Sequence, residues 1–169
     1  VFTLPEILRS NLAEVILRMK SLQLADVKKF PFIDSPSKNA VKDGYAILKE
    51  LGALNAKGQL TPLGRAMARL PMDPKIARMT IEAKKEKALR EVLIIAAALS
   101  VRDPRERPAE KQTQADQMQA GFKDPESDFL SYLRLWDAYH DTWKILKTQN
   151  QMRKFCKKHF LSYIRMREW

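Results

Sequence analysis

Residues 51–74 read LGALNAKGQLTPLGRAMARLPMDP and contain the signals that decide the fold of the first part of the chain. Gly52 is typical of the residue that follows a helix C-terminus. The stretch 53–60 has turn residues at its centre, which predicts a short β-hairpin. Thr61 and Pro62 then predict a helix with a threonine N-cap and a proline in its first turn.

Two helices are predicted before this stretch. Apolar residues recur every three or four positions over about 5–22, which predicts an amphipathic helix that starts near Pro5. A loop around residues 30–32 follows, and Ser37 is placed to cap the next helix. Helix, loop, helix, hairpin and helix is the order of a winged-helix domain, which we place at residues 1–71.

The remainder, residues 72–169, is predicted to be a helical bundle, so the fold class is mainly α. Asp73 and Pro74 repeat the pattern of a capped helix start. The run Val92–Leu99 is apolar on all sides, which predicts a helix at the centre of the bundle. The predicted helices span about 74–87, 89–100, 109–120 and 127–147, with one or two more towards the end.

The net charge of +11 is concentrated in the two ends of the chain. Residues 1–71 carry 11 Lys and Arg against 6 Asp and Glu, and residues 72–143 carry 12 against 13. Residues 144–169 carry 8 basic residues against 1 acidic residue, a net charge of +7. An excess placed in this way favours a basic surface patch, for which the obvious ligand is phosphate.

The sequence also excludes several classes of protein. Its longest apolar run has eight residues, whereas a membrane-spanning helix needs about 20. No secretion signal is visible, and the lone Cys156 permits no internal disulfide, so we expect a cytoplasmic protein. There is no phosphate loop, no dinucleotide-binding fingerprint and no metal motif, so no catalytic residue and no metal site is predicted. Val1 is not an initiator methionine, and we expect a piece of a longer polypeptide.

Seven motifs occur along the chain in a characteristic order. They are PEILRSNL at 5–12, LGAL with GQLTPLGRAMA at 51–68, PMDP at 71–74, EVLIIAAALSV at 91–101, DPRERP at 103–108, SDFL at 127–130 and RMREW at 165–169. Together they resemble the region that follows the two motor domains of DEAH-box ATP-dependent RNA helicases. The last three motifs look like the bacterial HrpA type.

The resemblance implies a winged-helix domain followed by the helicase-associated, ratchet-like helical domain. It implies a non-catalytic accessory region that lines an RNA channel and couples motor movement to single-stranded RNA, in a parent protein that is an enzyme. ATP and Mg²⁺ would belong to the parent motor domains, and this region would need no cofactor. The implied partners are single-stranded RNA, those motor domains and a following oligonucleotide-binding fold, with no membrane.

The basic tail supplies the first candidate RNA-binding residues. If the helix is nearly continuous, Lys144, Lys147, Lys154 and Lys158 form one polar stripe, with Arg165 nearby. Aromatic and apolar residues such as Phe155, Tyr163 and Ile164 are predicted to be buried on the other side. Such a stripe suits a sugar–phosphate backbone and reads no bases.

Five arginines are further candidates. Arg102, Arg105 and Arg107 have guanidinium groups suited to phosphate, although salt bridges with Asp103 and Glu106 explain them equally well. Arg9 and Arg65 stand at motif positions of the family, and we expect them to hold contacts between domains.

Two functions of other classes remain open. One is a winged-helix DNA-binding regulator, in which Lys38, Lys42 and Lys49 would enter the major groove. The other is a basic protein-docking adaptor, which would bind nucleic acid only weakly.

The absence of a phosphate loop leads to a first prediction. The 169-residue chain should hydrolyse no ATP, with or without RNA, because no glycine-rich loop cradles the phosphates. Phosphate release from the purified chain measures this, and an RNA-stimulated rate would contradict the prediction.

Overall fold

The computed structural model describes residues 12–169, which are mainly helical, as predicted. Their α-helices are α1 (Ala13–Ser21), α2 (Lys38–Glu50), α3 (Pro62–Ala68), α4 (Pro74–Lys85), α5 (Leu89–Ser100), α6 (Gln112–Gln119), α7 (Asp128–Leu146), α8 (Gln149–Lys158) and α9 (Tyr163–Glu168). Short 3₁₀ turns lie at Ala109–Lys111 and Ala120–Phe122. The chain divides into two compact units between Lys85 and Glu86.

The first unit contains α1 to α4, and α2, α3 and α4 start where predicted. The Ser37 hydroxyl accepts a hydrogen bond from the Ala40 N–H at 3.1 Å, and the Thr61 hydroxyl accepts one from the Gly64 N–H at 2.9 Å. The first predicted helix, about 5–22, is described only from residue 12 onward. Helix α1 packs against α2, α3 and α4, and the most deeply buried side chains include Leu12, Ile16, Leu48 and Met67.

The predicted β-hairpin is wrong for the described residues, because only one antiparallel bridge forms, between Leu54 and Leu60. The segment has no room for a longer ladder. Gly52 has a φ of +71° and ends α2 on one side, while Thr61 caps α3 on the other. The Thr61 N–H donates to the Ala53 carbonyl at 3.0 Å, and a tight turn closes the bridge.

Glycine is required at position 64 because the first turn of α3 lies directly on the chain after α2. A Cβ atom added to Gly64 would lie 2.1 Å from the Ala53 carbonyl oxygen and 2.9 Å from its carbon. Both are backbone atoms, so no side-chain rotation relieves the clash. This contact fixes α3 against the end of α2.

The second unit contains α5 to α9, and α5 packs against α7. The loop after α5 is joined to the segment between α8 and α9. The Glu106 N–H donates to the Phe160 carbonyl at 2.8 Å, and the Ser162 N–H donates to the Pro104 carbonyl at 2.7 Å. An antiparallel bridge between Arg105 and Leu161 lies between these bonds. The predicted polar helix at 109–120 is divided into a 3₁₀ turn and α6.

Helix α5 is less enclosed than the apolar run Val92–Leu99 predicts. Ile94, Ile95 and two alanines are buried, but Leu93 and Leu99 are 45% and 43% exposed. The helix packs against α7 on one side, so apolar residues away from that side remain exposed. Burial on all sides was therefore the wrong expectation for these two leucines.

Replacing Gly64 tests the close approach of α3. We expect Gly64→Ala to lower the free energy of unfolding by about 1–3 kcal/mol, because the added methyl group overpacks a backbone contact. Urea denaturation followed by circular dichroism measures the change. Gly121→Ala is the control, since nothing lies within 4 Å of its added Cβ, and it should change stability by less than about 0.5 kcal/mol. Equal stability of the two variants would contradict the packing described.

Candidate nucleic-acid interface

Helix α8 is anchored to the second unit by one apolar face. Met152 and Cys156 are one turn apart and almost wholly buried, in a cluster with Leu135, Tyr139 and Leu161. Burial raises the pKa of the Cys156 thiol to about 11, as expected of a thiol packed in a core. These contacts fix which side of α8 meets solvent.

The opposite face of α8 is exposed and strongly basic. Its cations are Arg153, Lys154, Lys157 and Lys158, and the helix contains no acidic residue. No ion pair with a carboxylate occurs at any of the four among the described residues. Lys157 and Lys158 lie in the last turn, where the helix dipole favours positive charge. The face therefore offers uncompensated charge to a polyanion.

The continuous helix assumed for the lysine stripe is not present. Lys147 ends α7 in the left-handed region with a φ of +56°, and Thr148 starts α8 as its N-cap. The Thr148 hydroxyl accepts from the Gln151 N–H at 3.4 Å. Lys144 and Lys147 thus belong to the end of α7, whereas Lys154 and Lys158 lie on α8. The four lysines do not form one stripe on one helix.

Two further tail residues differ from their expected surroundings. The Arg165 guanidinium donates to the Asp103 carbonyl at 3.1 Å, so it is tied to the loop after α5. Ile164, predicted to be buried, is 77% exposed, whereas Phe155 and Tyr163 are partly buried as the pattern predicts. Lys144 also has a partner, because its ammonium group lies 2.9 Å from the Asp141 carboxylate.

The loop arginines have three different environments. Arg105 forms a two-pronged salt bridge with Asp103, at 3.1 and 2.7 Å, and its guanidinium lies 4.9 Å from the centre of the Tyr132 ring. Arg107 pairs with Asp116 at 2.7 Å, not with Glu106 as the sequence suggested. Arg102 is exposed and has no ion pair among the described residues.

The pair of Asp103 and Arg105 is a structural contact. Burial acts to raise the pKa of Asp103, but hydrogen bonds from the Arg105 side chain and backbone outweigh it, so the pKa lies below its usual value. The carboxylate therefore stays ionised at neutral pH and holds the guanidinium in place. Of the three loop arginines, Arg102 alone has no ion pair among the described residues, and phosphate binding by all three stays a prediction.

Sequence reasoning missed Arg153 and Lys157 of the α8 face. The predicted stripe contains only lysines that share one side of an assumed continuous helix. Arg153 and Lys157 lie next to that side and were therefore left out. The available signal was the composition of residues 144–169, where Glu168 is the one acidic residue.

An aromatic groove of about 360 Å³ lies in the same unit. Its lining is Trp136, Tyr139, His140, Trp143, Gln149, Met166, Arg167 and Trp169. The rings of Trp136 and His140 stack with centres 4.2 Å apart, and Trp143 is 37% exposed. Aromatic and arginine faces of this kind are the groups on which unpaired bases stack. Gln149, the first residue of α8, connects the groove to the basic helix.

The two arginines expected between domains remain predictions. Arg9 lies outside the described residues. Arg65 is exposed on α3, and its guanidinium donates to the Leu60 carbonyl at 3.3 Å.

Two family models match the chain in the predicted order. The winged-helix part of the helicase associated domain (HA2) matches residues 46–72, and its ratchet-like part matches residues 73–162. The second match alone covers more than half of the chain. The chain belongs to the helicase-associated (HA2) family.

Several curated proteins align with the HA2 chain over nearly its whole length. ATP-dependent RNA helicase HrpA of Escherichia coli is 47% identical over 99% of this chain. A homolog of HrpA in Haemophilus influenzae is 46% identical, and the pre-mRNA-splicing factor ATP-dependent RNA helicase prp22 of Schizosaccharomyces pombe is 37% identical. The chain spans only 13% of the length of each of these proteins.

The described part of the HA2 chain contains no group of three or more His, Cys, Asp or Glu residues arranged to hold a metal ion. None of its helices between residues 12 and 169 has the length and apolar character needed to span a bilayer.

Replacing the loop arginines one at a time separates structural from surface roles. We expect Arg105→Gln to lower the free energy of unfolding by about 1 kcal/mol, because it leaves the Asp103 carboxylate without its charged partner in a half-exposed site. Arg102→Gln should leave stability within about 0.5 kcal/mol of the original. Urea unfolding measures both, and equal effects would contradict the structural role of Arg105.

Proposed function

We propose that the HA2 chain is the non-catalytic accessory region of an ATP-dependent DEAH-box RNA helicase and grips single-stranded RNA through α8. The observation that carries the proposal is the face of α8, where Arg153, Lys154, Lys157 and Lys158 are exposed without a carboxylate partner in the described structure. Each phosphate that such a cation neutralises releases a counterion, which favours binding.

The two kinds of surface in the second unit suit two parts of an RNA strand. The cations of α8 suit the sugar–phosphate backbone, and three of the four are lysines, which act as point charges. The groove that contains Trp136, Trp143 and Arg167 suits unstacked bases, because every base presents a face for stacking. Binding of this kind tolerates any sequence.

The remaining roles follow from the relatives, which are named as ATP-dependent RNA helicases. In the proposal, the winged-helix domain at residues 1–71 contacts the motor domains through Arg9 and Arg65. The ratchet-like domain at residues 72–169 lines the RNA channel and passes motor movement to the strand. ATP and Mg²⁺ are used in the motor domains of a cytoplasmic parent protein, and an oligonucleotide-binding fold is a further partner.

Charge removal on α8 tests the proposal. The α8 variant carries Lys154→Gln, Lys157→Gln and Lys158→Gln, which remove three charges and keep good helix formers. The original chain should bind single-stranded RNA of about 20 nucleotides with a Kd of roughly 10⁻⁴–10⁻⁶ M. The α8 variant should bind about tenfold more weakly at low salt, and its plot of log K against log salt should be shallower by about 2. Fluorescence anisotropy measures both quantities.

A matched control is available in the same unit. Lys87→Gln, Lys111→Gln and Lys123→Gln remove the same charge from exposed positions outside α8, and the affinity should change much less. If both variants lose the same affinity for RNA, the effect is due to net charge alone, and the proposal is contradicted. Preference for one duplex DNA sequence would favour the regulator, and weak binding to every nucleic acid would favour the docking adaptor.

A further inference from the structure

An open groove of about 830 Å³ crosses the first unit, and half of the residues that line it are lysines. The charged side chains in its lining are Lys20, Asp26, Lys28, Lys38, Lys42, Lys49 and Lys57. Among the described residues, six lysines thus face one carboxylate. They come from the end of α1, the loop after it, α2 and the turn before α3, so the fold brings together charges that are distant in the sequence.

Three of these lysines form a row along α2. Lys38, Lys42 and Lys49 stand at positions i, i+4 and i+11, which place them on one side of the helix. Eleven residues of helix extend about 16 Å, so the row is long enough to meet several phosphates of one strand. All three side chains belong to exposed residues.

The carboxylate of Asp26 does not neutralise the lysines of the groove. Asp26 accepts a hydrogen bond from the Tyr45 hydroxyl at 2.9 Å and another from the Lys28 N–H at 2.9 Å. No ion pair joins any of the six lysines to a carboxylate of the described residues. Asp26 therefore organises the loop, and the charge of the groove stays available.

A second concavity of about 560 Å³ continues the basic surface. Lys20 and Gly58 belong to the linings of both, and the second adds Arg69. Arg69 has no ion pair among the described residues. The two concavities together form a basic track across the first unit.

We propose that this track binds the sugar–phosphate backbone of single-stranded RNA, as a contact separate from α8. The choice of RNA rests on the proposed function of the chain, whereas the choice of a phosphate polymer rests on the groove itself. Protein interfaces are depleted in lysine and enriched in large aromatic residues. Here the uncharged lining is mainly small, with Ala46, Ala56 and Gly58, so a regularly charged strand fits better than an acidic protein segment.

The groove is built to hold a backbone and not to read bases. Among the described residues, Tyr45 is the one aromatic residue in the lining, and Lys20 lies over the Tyr45 ring, 5.3 Å from its centre. The Tyr45 hydroxyl is occupied by Asp26, which holds the ring in place. Charge contacts alone bind all sequences alike.

The test uses the α8 variant as the starting protein, so that binding at α8 is already weakened. The groove variant adds Lys38→Gln, Lys42→Gln and Lys49→Gln to it. These changes should weaken single-stranded RNA binding by about a further tenfold at low salt. The salt plot should become shallower by about 2 again. The control adds Lys29→Gln, Lys75→Gln and Lys84→Gln, which are exposed residues of the same unit outside both concavities, and should change affinity little.

Each outcome decides between alternatives. Equal binding by the groove variant and its control would overturn the inference and leave the lysines as a solvated surface. If the groove substitutions weaken the binding of labelled polyglutamate more than the binding of RNA, the groove is assigned to an acidic protein segment. That result would also overturn the inference. If the proposed function fails instead, the α8 variant binds single-stranded RNA as tightly as the original chain does. The comparison of the groove variant with its control then still shows whether the groove binds RNA.

Discussion

Burial of Met152 and Cys156 is the contact on which the candidate interface depends. These two side chains fix the rotation of α8 about its axis, so Arg153, Lys154, Lys157 and Lys158 must face solvent. A helix with four cations and no carboxylate has little stability of its own to gain from surface ion pairs. Its apolar face supplies the anchoring, Arg153 lies 5.3 Å from the centre of the Tyr163 ring, and the three lysines are free to serve a ligand.

The helix boundaries of the first unit could be predicted because local chemistry decides them. Ser37 and Thr61 cap helices with side-chain hydrogen bonds to the third following residue, and Gly52 takes the positive φ that ends α2. The extent of strand pairing in the small hairpin could not be predicted from local residues in the same way. Its pairing depends on how many residues remain between two helix ends, and here only one bridge fits.

The candidate site could be predicted in composition but not in geometry. The excess of lysine and arginine after residue 144 is plain in the sequence, yet the stripe assumed a continuous helix. Lys147 adopts a left-handed conformation at the end of α7, and the residue type at this position does not indicate it. The partners of Arg105 and Arg165 were likewise hidden, because Tyr132 and the Asp103 carbonyl approach them only in the folded unit.

Lysine footprinting tests the central claim most directly. The 169-residue chain is acetylated under mild conditions with and without single-stranded RNA, and mass spectrometry gives the reactivity of each lysine. We predict strong protection of Lys154, Lys157 and Lys158, with little change at Lys111 and at Lys144, which already pairs with Asp141. Unchanged reactivity on α8 while other lysines become protected would contradict the assignment of this helix to RNA.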